Sequence, residues 1–454
     1  MRRYLIFATA SLGLLMYAID ATVVAVAFPN LIKDLGTTVL WAGWTISIYY
    51  IGVTTAMPLA GNLSDSFGRK RVFLVSLILF SASSLACGLA TNIYTLVIFR
   101  FLQGVGGASF LPTASGIASD HFPEQREKMI GLLSSIFNMG SIIGPNLGGW
   151  IVSRFSWRFV FYINVPIGLV LIVLIMTLLK DSKVLSQQRI DFAGAAYFSG
   201  TVLFLMLGLN LVGEGLSFRP LLLASVFLLA SFSLVLLFIR QERKQARPIL
   251  DMVLLKSKPF IAANIVNMVM GAGFFGIFSF IPLYVVSVHK LSTLMSGMIL
   301  TPRSIGVIVA SVVTSLLLKR WGYRWPLILG LVVVAMGTIP LAPVFPLWGA
   351  VATRLGVLEI LPFFILACGI GAGIANPPAN NACIELMPEK VATIVGLRGM
   401  FRTVGGALGI SLITFILHLS STPAKGFSVT FILFGIALLS IIPLVFLMPS
   451  GRKV

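Results

Sequence analysis

The sequence predicts an all-α membrane protein, built almost wholly from helices that cross a bilayer. Three observations lead there. Of 454 residues, 58% are apolar and only 10% are charged, with a mean hydropathy of +1.01. Soluble domains carry about 25% charged residues, so these side chains suit a hydrocarbon solvent. The apolar residues fall into fourteen segments between turn-rich or charged stretches, each near the roughly 20 residues that a bilayer-crossing helix needs. Finally, Lys and Arg outside those segments divide 22 to 7 between alternate sets of connections.

The first six segments are 5–27, 41–60, 72–90, 94–118, 129–152 and 159–179. The opening one follows Arg2 and Arg3 and continues for over 20 residues without a small-residue cleavage site, so it reads as a retained span, not a signal peptide. After the second comes "GNLSDSFGRKR", a glycine turn ending in cations; the fifth contains the glycine-rich "GSIIGPNLGG". Segments 192–213 and 220–239 follow, then the basic linker "RQERKQARPILDMVLLKSKP" from Arg240 to Pro259. The last six are 260–284, 293–318, 325–344, 357–379, 392–417 and 428–447. An even number puts both termini on one side, and the 22 to 7 split makes that side the cytoplasm.

The rear six segments echo the front six. Aligning Gly68 with Gly322 sets "SLLLKRWGYR" on "GNLSDSFGRKR", and "GGALG" in the thirteenth segment answers the glycines of the fifth. Weak internal symmetry of this kind is typical of transporters. The expected organisation is a six-helix bundle over 1–180, two inserted helices and a basic linker over 181–258, and a second six-helix bundle over 259–454.

Several function classes are excluded. The net charge of +19 lies in small groups between apolar blocks, with no aromatic-interleaved basic face for nucleic acid. Cys87, Cys368 and Cys383 form no paired framework, and His121, His289 and His418 lack ligand spacing, so no metal or other cofactor is implied. There is no Walker-type phosphate loop to indicate ATP as the driver. An intramembrane enzyme would need paired carboxylates or a nucleophile with its base, and one lone acid does not supply them.

That acid is Asp20. Charges within a span cost roughly 2.5–3.5 kcal/mol each on insertion, so each needs a partner or a wet cavity. The others are Arg100, Arg303, Arg398 and Arg402. Asp20 and Arg100 both fall about 10 Å below the external surface at 1.5 Å per residue, and can pair. A carboxylate moved between a cationic partner and apolar surroundings can exchange a proton; a fixed structural pair is the competing reading. Gly140, Gly144 and Gly148 form an i, i+4, i+8 row suited to close helix approach, bent at Pro145 and followed by Gly149. Asp65, Gly68, Arg69 and Lys70, with Gly61 ahead of them, read as a latch between helices. Snorkelling to the interface accounts for Arg398, whereas Arg402 is deeper. "GIGAGIANPPANN", Gly369 to Asn381, reads as a broken or flexible helix.

On these residues the chain resembles the major facilitator superfamily, and within it the 14-span drug:proton antiporter branch, the EmrB/QacA type. "AIDATVVAVAFP" is similar to the first-span pattern at Asp20, Thr22, Val24, Ala27 and Pro29. "GNLSDSFGRKR", "RFLQGVGGA", "GSIIGPNLGG" and "WRFVFYINVPIG" are similar to the loop, fourth-span, antiporter and sixth-span motifs, and Trp44 and Tyr49 to the second-span W-x-x-x-x-Y. "LRGMFRTVGGALG" extends the likeness to the thirteenth segment. The resemblance implies a major facilitator fold of two six-helix bundles plus two inserted helices. It implies proton-driven efflux of lipophilic, often cationic compounds, with Asp20 and Arg100 in coupling and the Gly140–Gly149 helix preventing leak. Thr22, Trp44, Tyr49, Gln103, Asn138 and Arg402 are the expected lining of the substrate cavity. The implied partners are a small lipophilic substrate, protons and membrane lipids, with the chain a monomer in the cytoplasmic membrane. Export of a metabolite, amino acid or lipid on the same fold is the alternative. Two positions depart from the pattern: Ala25 replaces the first-span Asn, and Ser66 the Arg after the loop Asp.

Overall fold

The structure, a computed structural model, describes residues 2–179, 192–212, 217–244, 257–343, 357–386 and 391–451. The side-chain positions at Gly61, Asp65, Asn138 and Lys319 lie outside the described residues. Eleven helical stretches among the described residues are long and apolar enough to cross a membrane. Helices also occupy Val39–Phe67, Arg126–Arg154 and Phe192–Val212, where the sequence places three of its segments.

Two compact units make up the chain, Met1–Gly208 with Leu222–Ala246, and Leu209–Leu221 with Arg247–Val454. The first holds α1 (Arg2–Asp34), α2 (Val39–Phe67), α3 (Arg69–Leu89), α4 (Ile93–Gly107), α5 (Phe110–His121), α6 (Arg126–Arg154), α7 (Phe159–Tyr162) and α8 (Asn164–Leu178). Within it α1 packs on α6 and α8, α2 on α4, and α3 on α4 and α8. Most of α9 (Phe192–Val212) and α10 (Phe218–Glu242) belongs here too. Ser231 Oγ donates to the Thr201 carbonyl at 2.9 Å between them, and Ser199 Oγ donates to the Thr55 carbonyl of α2. Along α10, Leu222, Leu229, Phe232 and Leu236 stay exposed, as expected of a helix solvated by acyl chains.

The second unit holds α11 (Lys258–Gly271), a π-helical turn (Ala272–Ile277), α12 (Phe278–Ser287), α13 (Thr293–Ile299), α14 (Thr301–Trp321), α15 (Arg324–Thr338), α16 (Val357–Glu385), α17 (Val391–Leu419), α18 (Pro423–Ser440) and α19 (Ile442–Val445). It repeats the pairings of the first: α11 and the π turn pack on α17 as α1 does on α6, α14 on α16 as α2 on α4, and α15 on α16 and α18 as α3 on α4 and α8. The aligned glycines correspond in conformation as well. Gly68, between α2 and α3, has φ 91°, and Gly322, between α14 and α15, has φ 68°. Both lie in the left-handed region where a side chain would be strained, so glycine is what allows each reversal without an intervening loop.

Local chemistry sets the boundaries. Thr38, Asn92, Ser292 and Thr422 each accept, through the side chain, a backbone N–H three residues on, which satisfies an orphan donor at the start of α2, α4, α13 and α18. The glycine-rich "GIGAGIANPPANN" corrects an expectation. It is continuous α-helix within α16, through Pro377 and Pro378. Pro377 has no N–H to give the Gly373 carbonyl, and Ser311 Oγ of α14 donates to that oxygen instead, at 3.1 Å. Its glycines serve close packing: a Cβ on Gly371 would stand 2.6 Å from Val334 N, and one on Gly373 would stand 2.5 Å from the Val307 carbonyl.

Candidate functional site

Asp20, on α1, is fully buried, and both of its oxygens are occupied. Arg100 Nη1 donates to Oδ2 at 2.8 Å, while Gln103 Nε2 and Asn164 Nδ2 donate to Oδ1 at 2.9 and 2.8 Å. Arg100 and Gln103 lie three residues apart on one face of α4, and Arg100 Nη1 also donates to Gln103 Oε1 at 2.7 Å. Asn164 begins α8 and donates a second bond, to Ser84 Oγ of α3 at 3.0 Å. The cradle therefore ties α1 to α4 and α8.

Glycines bring α4 close enough to α2 for the guanidinium to be held from behind. A Cβ on Gly52 would lie 3.1 Å from Val105 N, and one on Gly104 would lie 3.1 Å from Val53 N. At that separation Arg100 Nε donates to the Thr45 carbonyl at 3.1 Å, and its guanidinium lies 4.0 Å from the Tyr49 ring centroid. Buried ion pairs seldom outperform apolar packing in stability, whereas removing one partner costs about 3–5 kcal/mol. Chemically, the cradle makes proton uptake mechanical. Oδ1 already accepts two bonds, so a proton there must displace Gln103 or Asn164 and loosen α1 from α4 or α8, whereas Oδ2 accepts one, from Arg100.

The glycine row of α6 rests against the helix that carries Asp20. A Cβ on Gly140 would lie 2.6 Å from Ala18 Cβ, one on Gly148 2.8 Å from Val23 Cγ2, and one on Gly144 would collide with Thr22 Oγ1. Pro145 and Gly149 are buried in the same helix. Thr22 thus sits in the α1–α6 contact, its hydroxyl donating to the Ala18 carbonyl at 3.1 Å. Trp44 and Tyr49 are buried, and Trp44 Nε1 and Tyr49 Oη have no hydrogen-bond partner among the described residues. At the α2–α3 turn, Arg69 pairs with Asp120 of α5 and lies over Gly116, where a Cβ would strike the guanidinium. Lys70 Nζ donates to the Met176 carbonyl of α8 at 3.3 Å. Gly61, Asp65 and Asn138, also expected at functional positions, lie outside the described residues.

In the second unit Arg398 does not extend to an interface. Its Nε, Nη1 and Nη2 donate to the Oδ1 atoms of Asn267, Asn380 and Asn376 at 3.0, 3.2 and 3.2 Å, so three amides replace the water that snorkelling would have reached. Arg402, one turn on, borders a cavity together with Arg303 and Asn376. Sequence reasoning did not single out Ser84, Asp120 or Asn267, and it reached Asn164, Asn376 and Asn380 only inside longer motifs, with no role for any of them. A lone amide within an apolar segment is the signal that marks Asn164.

The model of the Major Facilitator Superfamily matches residues 10–410. The chain is 32% identical over 423 residues to multidrug transporter protein MdtP of Bacillus subtilis (strain 168), across 92% of this chain and 76% of that protein. It is 33% identical over 402 residues to multidrug resistance protein 3 of the same organism, across 88% and 77%. Among solved structures it resembles the D-xylose–proton symporter with TM-score 0.70 and 15% identity, covering 99% of each chain, a likeness of fold.

Proposed function

The chain belongs to the Major Facilitator Superfamily, a family of transporters and not enzymes, and from that premise we propose that it is a proton-coupled efflux antiporter for lipophilic compounds. The relatives named for multidrug transport and resistance support the efflux reading. The observation that carries the coupling is the Asp20 cradle, in which a single intramembrane carboxylate is held by three donors from two other helices. Asp20 takes a proton from outside as substrate leaves, and gives it up inward when the cavity reopens to the cytoplasm. Arg100 recaptures the carboxylate, and Gln103 and Asn164 fix its orientation. The α1–α6 contact at Gly140, Gly144 and Gly148 seals the bundle, with Pro145 and Gly149 shaping the helix, while Asp65, Arg69 and Lys70 latch the turn around Gly68.

In this reading the chain spans the cytoplasmic membrane fourteen times as a monomer, in two six-helix bundles with two inserted helices, both termini inside. Asp20 lies well below the outer surface, so its access route opens only as the bundles rock. Proteoliposomes loaded with a pH dye test the coupling, using a panel of lipophilic dyes as substrates. Adding substrate should move protons with the wild-type protein and not with Asp20→Asn. Undiminished proton movement in Asp20→Asn would overturn the assignment.

A further inference from the structure

The sixth-span motif "WRFVFYINVPIG" supplies Asn164 to the Asp20 cradle, and the residues ahead of Asn164 have no part in the coupling described above. They descend as a column. Trp157 Nε1 donates to Oδ2 of Asp34, the last residue of α1, at 3.1 Å. One turn on, the Phe161 ring meets Trp157 edge to face, with centroids 6.1 Å apart, and its centroid lies 5.7 Å from the Arg100 guanidinium. Asn164 follows and reaches Asp20. Arg158 and Ile163, which flank α7, both have helical backbone, so the segment falls about 10 Å from Trp157 to Asn164 at 1.5 Å per residue.

Burial follows the same column. Asp34 is exposed, whereas Trp157, Phe161, Arg100 and Asp20 are all fully buried. Two rings therefore stand between the exposed end of α1 and the buried ion pair. The topology read from the sequence makes that end the external one.

The column is fastened at its edges by single polar bonds. Arg158 Nη2 donates to the Ala90 carbonyl at 3.1 Å and Tyr162 Oη to the Gly88 carbonyl at 2.8 Å, at the end of α3, where helical carbonyls lose their own partners. Gly88 lets the Tyr162 ring lie flush, since a Cβ there would collide with it. Ser84 Oγ, which accepts from Asn164, donates to the Phe161 carbonyl at 2.9 Å. The Trp157 bond to Asp34 is the one at the exposed end, where water competes for the carboxylate. Such a segment is held in place and is also releasable.

We propose that Phe161 is an outer plug, which keeps external water from Asp20 while Arg100 holds the carboxylate, and that Trp157 on Asp34 latches it shut. Plug and cradle move together, because Phe161 and Asn164 lie within one turn of the same segment. A proton on Oδ1 that displaces Asn164 frees the segment carrying the ring, and recapture of the carboxylate draws the ring back. This role rests on the coupling role of Asp20, yet the two fail separately. Undiminished substrate-driven flux in Asp20→Asn removes the coupling, whereas a tight Phe161→Ala protein whose substrate-driven flux still needs Asp20 removes only the plug.

The test uses the full chain in liposomes loaded with a pH dye, acid outside, with the membrane potential clamped and no substrate present. The wild-type protein should admit protons slowly. Phe161→Ala should raise proton entry roughly tenfold or more, the change that lowering an access barrier by about 1.4 kcal/mol gives. Adding Asp20→Asn to that variant should abolish the rise, which a general loss of packing would not do. Asp34→Ala, at an exposed position, should raise entry in the same Asp20-dependent way and decides the matter should Phe161→Ala not fold. Entry at the wild-type rate in a Phe161→Ala protein that still moves protons on adding substrate would overturn the proposal. So would a rise that persists without Asp20, or a tight Asp34→Ala protein where that variant alone folds.

Discussion

Asn164 offers the sharpest test of the Asp20 cradle, because its contribution is expected to depend on the charge beside it. Asn164 Nδ2 donates to Asp20 Oδ1 at 2.8 Å and to Ser84 Oγ at 3.0 Å. A hydrogen bond to an ionised group contributes about 1.5–3 kcal/mol and a neutral one about 0.5–1.5 kcal/mol. Asn164→Ala should therefore destabilise the wild-type protein by about 2–3 kcal/mol. The comparison background is Asp20→Asn with Arg100→Gln, which leaves no buried charge stranded; there the same substitution loses only neutral bonds, about 1 kcal/mol. The difference, about 1–2 kcal/mol, is the coupling energy, read from reversible unfolding of the four proteins in micelles. Additivity within about 0.5 kcal/mol would mean that Asn164 does not act on an ionised Asp20.

Three other substitutions probe different links. Gly144→Ala places a methyl against Thr22 Oγ1 and 2.9 Å from the Ile19 carbonyl, and should cost about 1–3 kcal/mol with substrate-driven proton flux reduced; wild-type flux and melting would remove the α1–α6 contact from the mechanism. Ser311→Ala deprives the Gly373 carbonyl of its donor and should cost about 0.5–1.5 kcal/mol, an effect that shrinks when Pro377→Ala restores a helical N–H; equal losses in both backgrounds would refute the compensation. His289 lies just beyond α12, edge-on to Tyr284 with centroids 4.9 Å apart, and burial holds its pKa below the ordinary value. The unfolded state then binds the proton more readily, so its contribution is complete above about pH 6.5 and is lost as pH falls through the lowered folded value. Melting curves for His289→Gln should lose this acid-side decline; an unaltered decline would place its origin elsewhere.

Much of the site was legible because depth along a helix can be counted. Equal distances from the external surface placed Asp20 beside Arg100, and the same count reaches Asn164, five residues into its segment as Arg100 is six into its own. That residue entered only as part of the sixth-span motif, with no role of its own, because a neutral amide raises no insertion penalty large enough to stand out. Gly68 and Gly322 could be aligned because positive φ restricts the choice of residue. By contrast, the continuity of α16 through two prolines depends on Ser311, far away in sequence, and the inward turn of Arg398 depends on asparagines from α11 and α16. Periodicity describes one helix at a time, so partners supplied by another helix stay hidden from it.

Cys87, on α3, is fully buried and points its thiol at Gln103 Oε1, 3.8 Å away. No other cysteine occurs in the first unit. A sulfur so placed is shielded from alkylating reagents while the side chains around the carboxylate remain closed, and it becomes reachable when they part. The unmodified chain therefore carries its own stopwatch. The rate at which maleimide marks this position, resolved by peptide mapping from Cys368 and Cys383, measures how often that chamber opens, with no engineered label.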